Sequence, residues 1–132
     1  MIRPTLLAFA VSDDRLSRLR FCCMKLGIAV KPVSTEDYAQ PLGALLGLQE
    51  RIAAEANDQA EVGEMLVMAA FDNALVNRFL AALRQLRIPP FRLKAMLTPT
   101  NVAWDACHLY AELSAEHAAM ERIHEPSQST PS

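Results

Sequence analysis

The sequence predicts an α/β fold: two pseudo-repeats of strand-helix-strand-helix forming a four-stranded sheet with helices on both faces. Three observations predict it. Two continuous apolar runs, at residues 5–11 and 65–71, have the length of strands and lack a polar side, as strands covered on both faces require. Each run is followed by a capping residue and then by apolar residues at helical spacing. The two halves also align at an offset of 60 residues: Leu7 with Val67, Ser12 with Asp72, Leu16 with Val76, Leu19 with Phe79, Cys23 with Leu83, Leu26 with Leu86, Ile28 with Ile88 and Val33 with Leu93. The pattern predicts one domain over residues 1–122, with pseudo-repeats at about 4–48 and 64–122 and a disordered polar tail over 123–132.

The elements follow in order. Residues 5–11 form the first central strand. Ser12 caps a helix whose first turn is favoured by Asp13 and Asp14, whose stripe is Leu16, Leu19, Cys23 and Leu26, and which Gly27 ends. Ile28 to Val33 is a weaker strand, and Lys31 and Pro32 make it an edge. Leu42, Leu45 and Leu46 suggest a short helix that residues 51–56 could extend, and Asn57-Asp58 and Gly63 read as a loop. Residues 65–71 form the second central strand. Asp72 or Asn73 caps a helix carrying Leu75, Val76, Phe79, Leu80, Leu83 and Leu86.

In Phe91 to Leu97 the residues Phe91, Leu93, Ala95 and Leu97 alternate with Arg92, Lys94 and Met96, an apolar face against a mostly basic one, and form the second edge strand, entered after Pro89 and Pro90. Pro99 holds Thr98 extended, and Thr100 or Asn101 caps a last helix that begins near Val102 and runs to about Arg122. Right-handed crossovers place helices on both faces.

The stretch Leu93 to Asn101, LKAMLTPTN, followed by Trp104, resembles the signature of a bacterial family of small proteins classed as a domain of unknown function. The shared core of that family is similar to PLKAVLTPTN followed by Trp. Phe91-Arg92 stands here where a proline is often found, and Met96 replaces Val. The resemblance spans Met65 to His117. It implies the fold and the boundaries, and it brings no activity with it.

Composition excludes several classes. Just over half of the 132 residues are apolar, enough for a core, and no apolar run reaches membrane-spanning length. The first residues read as a core strand and carry no cleavage signature. Cys22, Cys23 and Cys107 are an odd set that reads as reduced thiols in a cytoplasmic protein. The net charge of −2 is unevenly spread: residues 1–35 and 65–97 are each +4, residues 36–64 are −6 and residues 98–132 are −4.

Candidate chemistry is sparse. A strand feeding a helix N-terminus presents N–H groups and the positive end of the dipole, a generic anion site. That makes Lys94, Thr98, Thr100 and Asn101 the candidate ligand-binding residues, with Ser12 to Asp14 or Asp72-Asn73 as equivalent strand ends. His117, Glu121 and His124 share a helix face, but a structural metal site needs a closed ligand set and no fourth ligand is indicated. The cysteines lie on or near apolar stripes, a structural placement. The four glycines have no Walker or dinucleotide spacing. Arg15, Arg18, Arg78, Arg84, Arg92 and Lys94 could form a basic face for nucleic acid, which the overall acidity and scarce aromatics disfavour.

The expected function is a non-catalytic binding or regulatory module with no cofactor and no metal. Its partner would be a small anion or another protein, a second copy included, and the edge strand Ile28 to Val33 could pair with it. The alternatives are a nucleic-acid-binding protein and an enzyme acting on a small anionic metabolite.

Overall fold

The computed structural model describes residues 2–53 and 62–124, with side chains to residue 120. The chain forms β1 (Thr5–Phe9), α1 (Asp13–Leu26), β2 (Ala29–Val33), α2 (Leu42–Leu45), β3 (Met65–Ala69), α3 (Asn73–Gln85), β4 (Lys94–Met96) and α4 (Ala106–His124). Single turns of 3-10 helix lie at Thr35–Asp37 and Asn101–Ala103. The strands make one sheet in the order β2-β1-β3-β4. The two apolar runs are the central strands and the two weaker ones are the edges, as expected.

The central pair is antiparallel, and each edge strand runs parallel to its neighbour. This direction decides where the helices lie. Two crossovers of the same hand land on opposite faces of an all-parallel sheet, but on one face when the two halves run in opposite directions. Accordingly α1 and α3 share a face, over Leu6, Ala8, Leu66 and Met68. The other face, with Leu7, Phe9, Met65 and Val67, is covered by α2, α4 and the segment around Tyr38. Helices therefore cover both faces, but both crossover helices share one of them.

Apart from Thr5 at the start of β1, the central strands are buried residue by residue because both faces are covered, which is why they are apolar. Cross-strand neighbours share a face: Leu7 opposes Val67 and Phe9 opposes Met65. Both strands stop two residues before the apolar run ends. Ala10 and Ala70 sit at φ 54° and 62°, left-handed values that end the ladder and turn Val11 and Phe71 back towards the α1/α3 core. Ser12 and Asp72 then cap the helices through Oγ and Oδ1, which accept from the N–H groups of Arg15 and Leu75. At the far ends, left-handed Gly27 and Arg87 (φ 74° and 56°) follow α1 and α3.

Two expectations need correction. The last strand spans Lys94–Met96, not Phe91 to Leu97. Pro89 and Pro90 donate no hydrogen bonds and the chain bends at Arg92, so pairing begins late. Phe91 consequently packs in the α1/α3 core, opposite Leu93, and not on the same face. The long last helix starts at Ala106, not near Val102. Its cap is Asp105, whose Oδ1 accepts from the His108 N–H at 2.8 Å. Residues 51–53 are irregular, and the remainder of the proposed helix extension, Asn57-Asp58 and residues 125–132 lie outside the described residues. The end of α4 takes in residues 123 and 124 of the expected tail.

Candidate functional site

The junction after β4 is a closed knot of hydrogen bonds. Asn101 is buried, at 7% exposure. Its Oδ1 accepts from the Thr98 N–H at 2.8 Å, its Nδ2 donates to the Met96 carbonyl at 3.0 Å, and its own N–H donates to Thr98 Oγ1 at 3.0 Å. The Thr98 carbonyl takes the Val102 N–H, and the Asn101 carbonyl takes the Trp104 N–H. The structure therefore brings Thr98 and Asn101 together, but the polar atoms of Asn101 are directed at the protein itself. Thr100 is exposed and its side chain caps nothing. The 3-10 turn at this point is three residues long, too short to align a dipole.

Lys94 takes a separate place. Its side chain is half-buried and its Nζ donates to the Phe91 carbonyl. Burial pushes its pKa down. The other two strand ends are occupied by their own caps. Because β1 and β3 are antiparallel, Ser12 lies at the opposite end of the sheet from Asp72, and only Asp72 is at the same end as Thr98.

The remaining candidates resolve as follows. Cys22 and Cys23 are buried in α1. Burial pushes the Cys23 thiol up to about 12, with Cys22 adding to it, and burial raises Cys22 against the opposing charge of Lys25. Cys107 is also raised, by burial and then by Asp105. A thiolate nucleophile is disfavoured at all three. His108 stacks on Trp104 with ring centroids 4.1 Å apart. The side chains of Glu121 and His124 lie outside the described residues, among which no cluster of metal-ligating groups occurs.

Two of the basic residues hold the fold. Arg15 pairs with Glu64 through two bonds of 2.7 and 3.0 Å and lies 4.1 Å over the Phe91 ring. Arg18 donates to the carbonyls of Leu86 and Arg87 at the end of α3. Arg78, Arg84 and Arg92 are exposed.

The feature sequence reasoning missed is the contrast between the two sheet edges. Residues alternate in a parallel ladder, one turning its main chain to the neighbour and the next turning it away. In β2, Ala29 donates to the Pro4 carbonyl. The outward positions are then Val30 and Pro32, and Pro32 has no N–H to offer. In β4, Leu93 and Leu97 bond to Leu66 and Met68 of β3. The outward positions there are Lys94 and Met96. Among the described residues the outer edge of β4 thus offers the N–H and C=O of Lys94 and the N–H of Met96, while the Met96 carbonyl is taken by Asn101. The signal for this was Pro32 itself, once the register fixed its parity.

A cavity flanks β4 on each face. Towards α3, about 360 Å³ is lined by Leu80, Leu83, Ile88 and Phe91 together with Arg84 and Lys94. Towards α4, about 180 Å³ is lined by Arg92, Lys94, Leu113, Glu116, His117 and Met120. Lys94 belongs to both. β3, α3, β4 and most of α4, with both cavities and the Asn101 knot, lie in the part of the chain that family comparison recognises.

Residues 64–120 match the family described as Domain of unknown function (DUF3783). No curated protein and no solved structure matches the chain. The DUF3783 match begins beside β3 and leaves β1, α1 and β2 outside it. It contains Lys94, Thr98, Thr100, Asn101 and Trp104. Among the described residues no helix is long and apolar enough to cross a membrane.

Proposed function

We propose that this protein is a non-catalytic binding module that takes an extended peptide along the outer edge of β4. The observation that carries this reading is the difference between the two edges: Pro32 leaves Val30 as the one outward donor of β2, whereas β4 offers two, at Lys94 and Met96, with the Lys94 carbonyl as acceptor. An exposed row of main-chain groups is a template for another strand. In strand addition the main chain supplies affinity and pockets for alternate side chains supply specificity. The cavities on the two faces of β4 suit that division.

Within this reading Lys94 is a binding residue, while Thr98 and Asn101 are positioning residues that fix the end of the strand. An anion site at the junction has less support, because the Asn101 amide is already bonded on both sides. The protonated, buried thiols favour a binding role over a catalytic one. The three free cysteines fit a reducing compartment, so we place the protein in the cytoplasm.

The test is selection from a displayed library of linear peptides, with Met96→Pro as the counter-selection. That substitution copies onto β4 the device Pro32 provides on β2, removing an outward donor and no bond to β3. Peptides enriched on the natural protein and lost on a folded Met96→Pro variant support the reading. Peptides that bind both equally, or no enrichment, overturn it.

A further inference from the structure

We infer that the peptide taken at the β4 edge is acidic, an extended segment that alternates apolar and acidic side chains. The inference rests on the strand-addition reading and adds the chemistry of the partner. An added strand sends successive side chains to opposite faces of the sheet. On the α3 side they meet Leu80, Leu83, Ile88 and Phe91, a mainly apolar lining that also holds Arg84 and Lys94. On the α4 side they meet Arg92 and Lys94 among Leu93, Leu113 and Met120, with Glu116 as the one carboxylate and His117 beside it. The α3 side is the more apolar of the two and suits apolar side chains, and the mixed α4 side, with Arg92 and Lys94, suits the acidic ones. Arg84, Arg92 and Lys94 against Glu116 leave the edge net cationic. Lys94 borders both cavities and is half-buried, so a carboxylate reaching it is paired where water screens less.

The same charges argue against a second copy of this chain. Two β4 strands paired edge to edge would bring Arg92 and Lys94 of both copies to one seam, and like charges across a strand pair are destabilising.

The experiment is fluorescence anisotropy with a labelled ten-residue peptide alternating leucine and glutamate, its leucine-lysine counterpart, and a glycine-glutamate control, at low and high salt. The leucine-glutamate peptide is expected to bind, the lysine counterpart at least about tenfold more weakly. Lys94→Gln should weaken the first by several-fold, and salt should do the same. Binding that needs only charge, with the glycine-glutamate peptide as tight, overturns the alternating pattern. Equal binding of the leucine-glutamate and leucine-lysine peptides, with both lost in Met96→Pro, overturns the acidic assignment and leaves the edge reading standing. Leucine-glutamate binding that survives Met96→Pro overturns both. If neither leucine peptide binds, the acidic assignment falls and the library selection decides the edge. A dimer by sedimentation that Met96→Pro dissociates would replace the acidic peptide with a second copy.

Discussion

Replacing Asn101 by alanine tests whether one buried amide holds the end of β4. The side chain makes two bonds that alanine cannot, to the Thr98 N–H and to the Met96 carbonyl. The third bond, from the Asn101 N–H to Thr98 Oγ1, belongs to the backbone and survives in outline. A hydrogen bond within a protein contributes about 1 kcal/mol net, and more when its loss strands a buried partner. With Asn101 at 7% exposure, Asn101→Ala should cost roughly 2–3 kcal/mol. For a chain of this size that is a fall in Tm of about 8–12 °C. Urea unfolding followed by circular dichroism measures it. Thr98→Val removes the reciprocal acceptor and should cost about 1 kcal/mol. The double variant should lose less than the sum, because the two side chains close the same turn. A loss below about 0.5 kcal/mol for Asn101→Ala would refute the role assigned to the amide.

Further predictions follow from the backbone and the titrating groups. Arg87→Gly should raise stability by about 1 kcal/mol, since Arg87 holds a left-handed φ of 56° where α1 has Gly27, and thermal melts read it directly. Arg15→Ala should lower stability by about 1–3 kcal/mol, because Arg15 joins α1 to Glu64 and covers Phe91; loss of the same size in Glu64→Gln would show that the ion pair dominates over the ring contact. Cys23 has its pKa raised from 9.0 to about 12, so between those values the unfolded chain releases a proton the folded chain keeps. Its contribution to stability is full below pH 9 and falls by about 1.4 kcal/mol per pH unit above it, and urea unfolding from pH 8 to 11 should show a shallower fall in Cys23→Ala than in the natural protein.

The parts of the fold legible in the sequence are those decided by burial alone. The runs at 5–11 and 65–71 announced central strands because a strand covered on both faces needs no polar side. The caps Ser12 and Asp72 were legible because a hydroxyl or carboxylate before an apolar stripe serves one purpose. The length of β4 was not, because pairing depends on the bend at Arg92 and on what β3 offers. The start of α4 was ambiguous for a chemical reason. Thr100, Asn101 and Asp105 can all cap a helix, and the choice fell to Asp105 once Asn101 was committed to Met96 and Thr98. The candidate site was half legible: Lys94 was named, but its partners across the two cavities come from α3 and α4. Which edge is open turns on parity, and Pro32 guards β2 only because the register turns it outward.

Amide hydrogen exchange at β4, read residue by residue by NMR with and without the leucine-glutamate peptide, tests the central claim most directly. Ala95 and Leu97 face β3 and should be protected in both conditions, while the outward N–H groups of Lys94 and Met96 should exchange fast in the free protein and slow when the peptide binds. Protection of Lys94 and Met96 in the free protein, or bound peptide that leaves their exchange unchanged, would contradict an open edge that receives a strand.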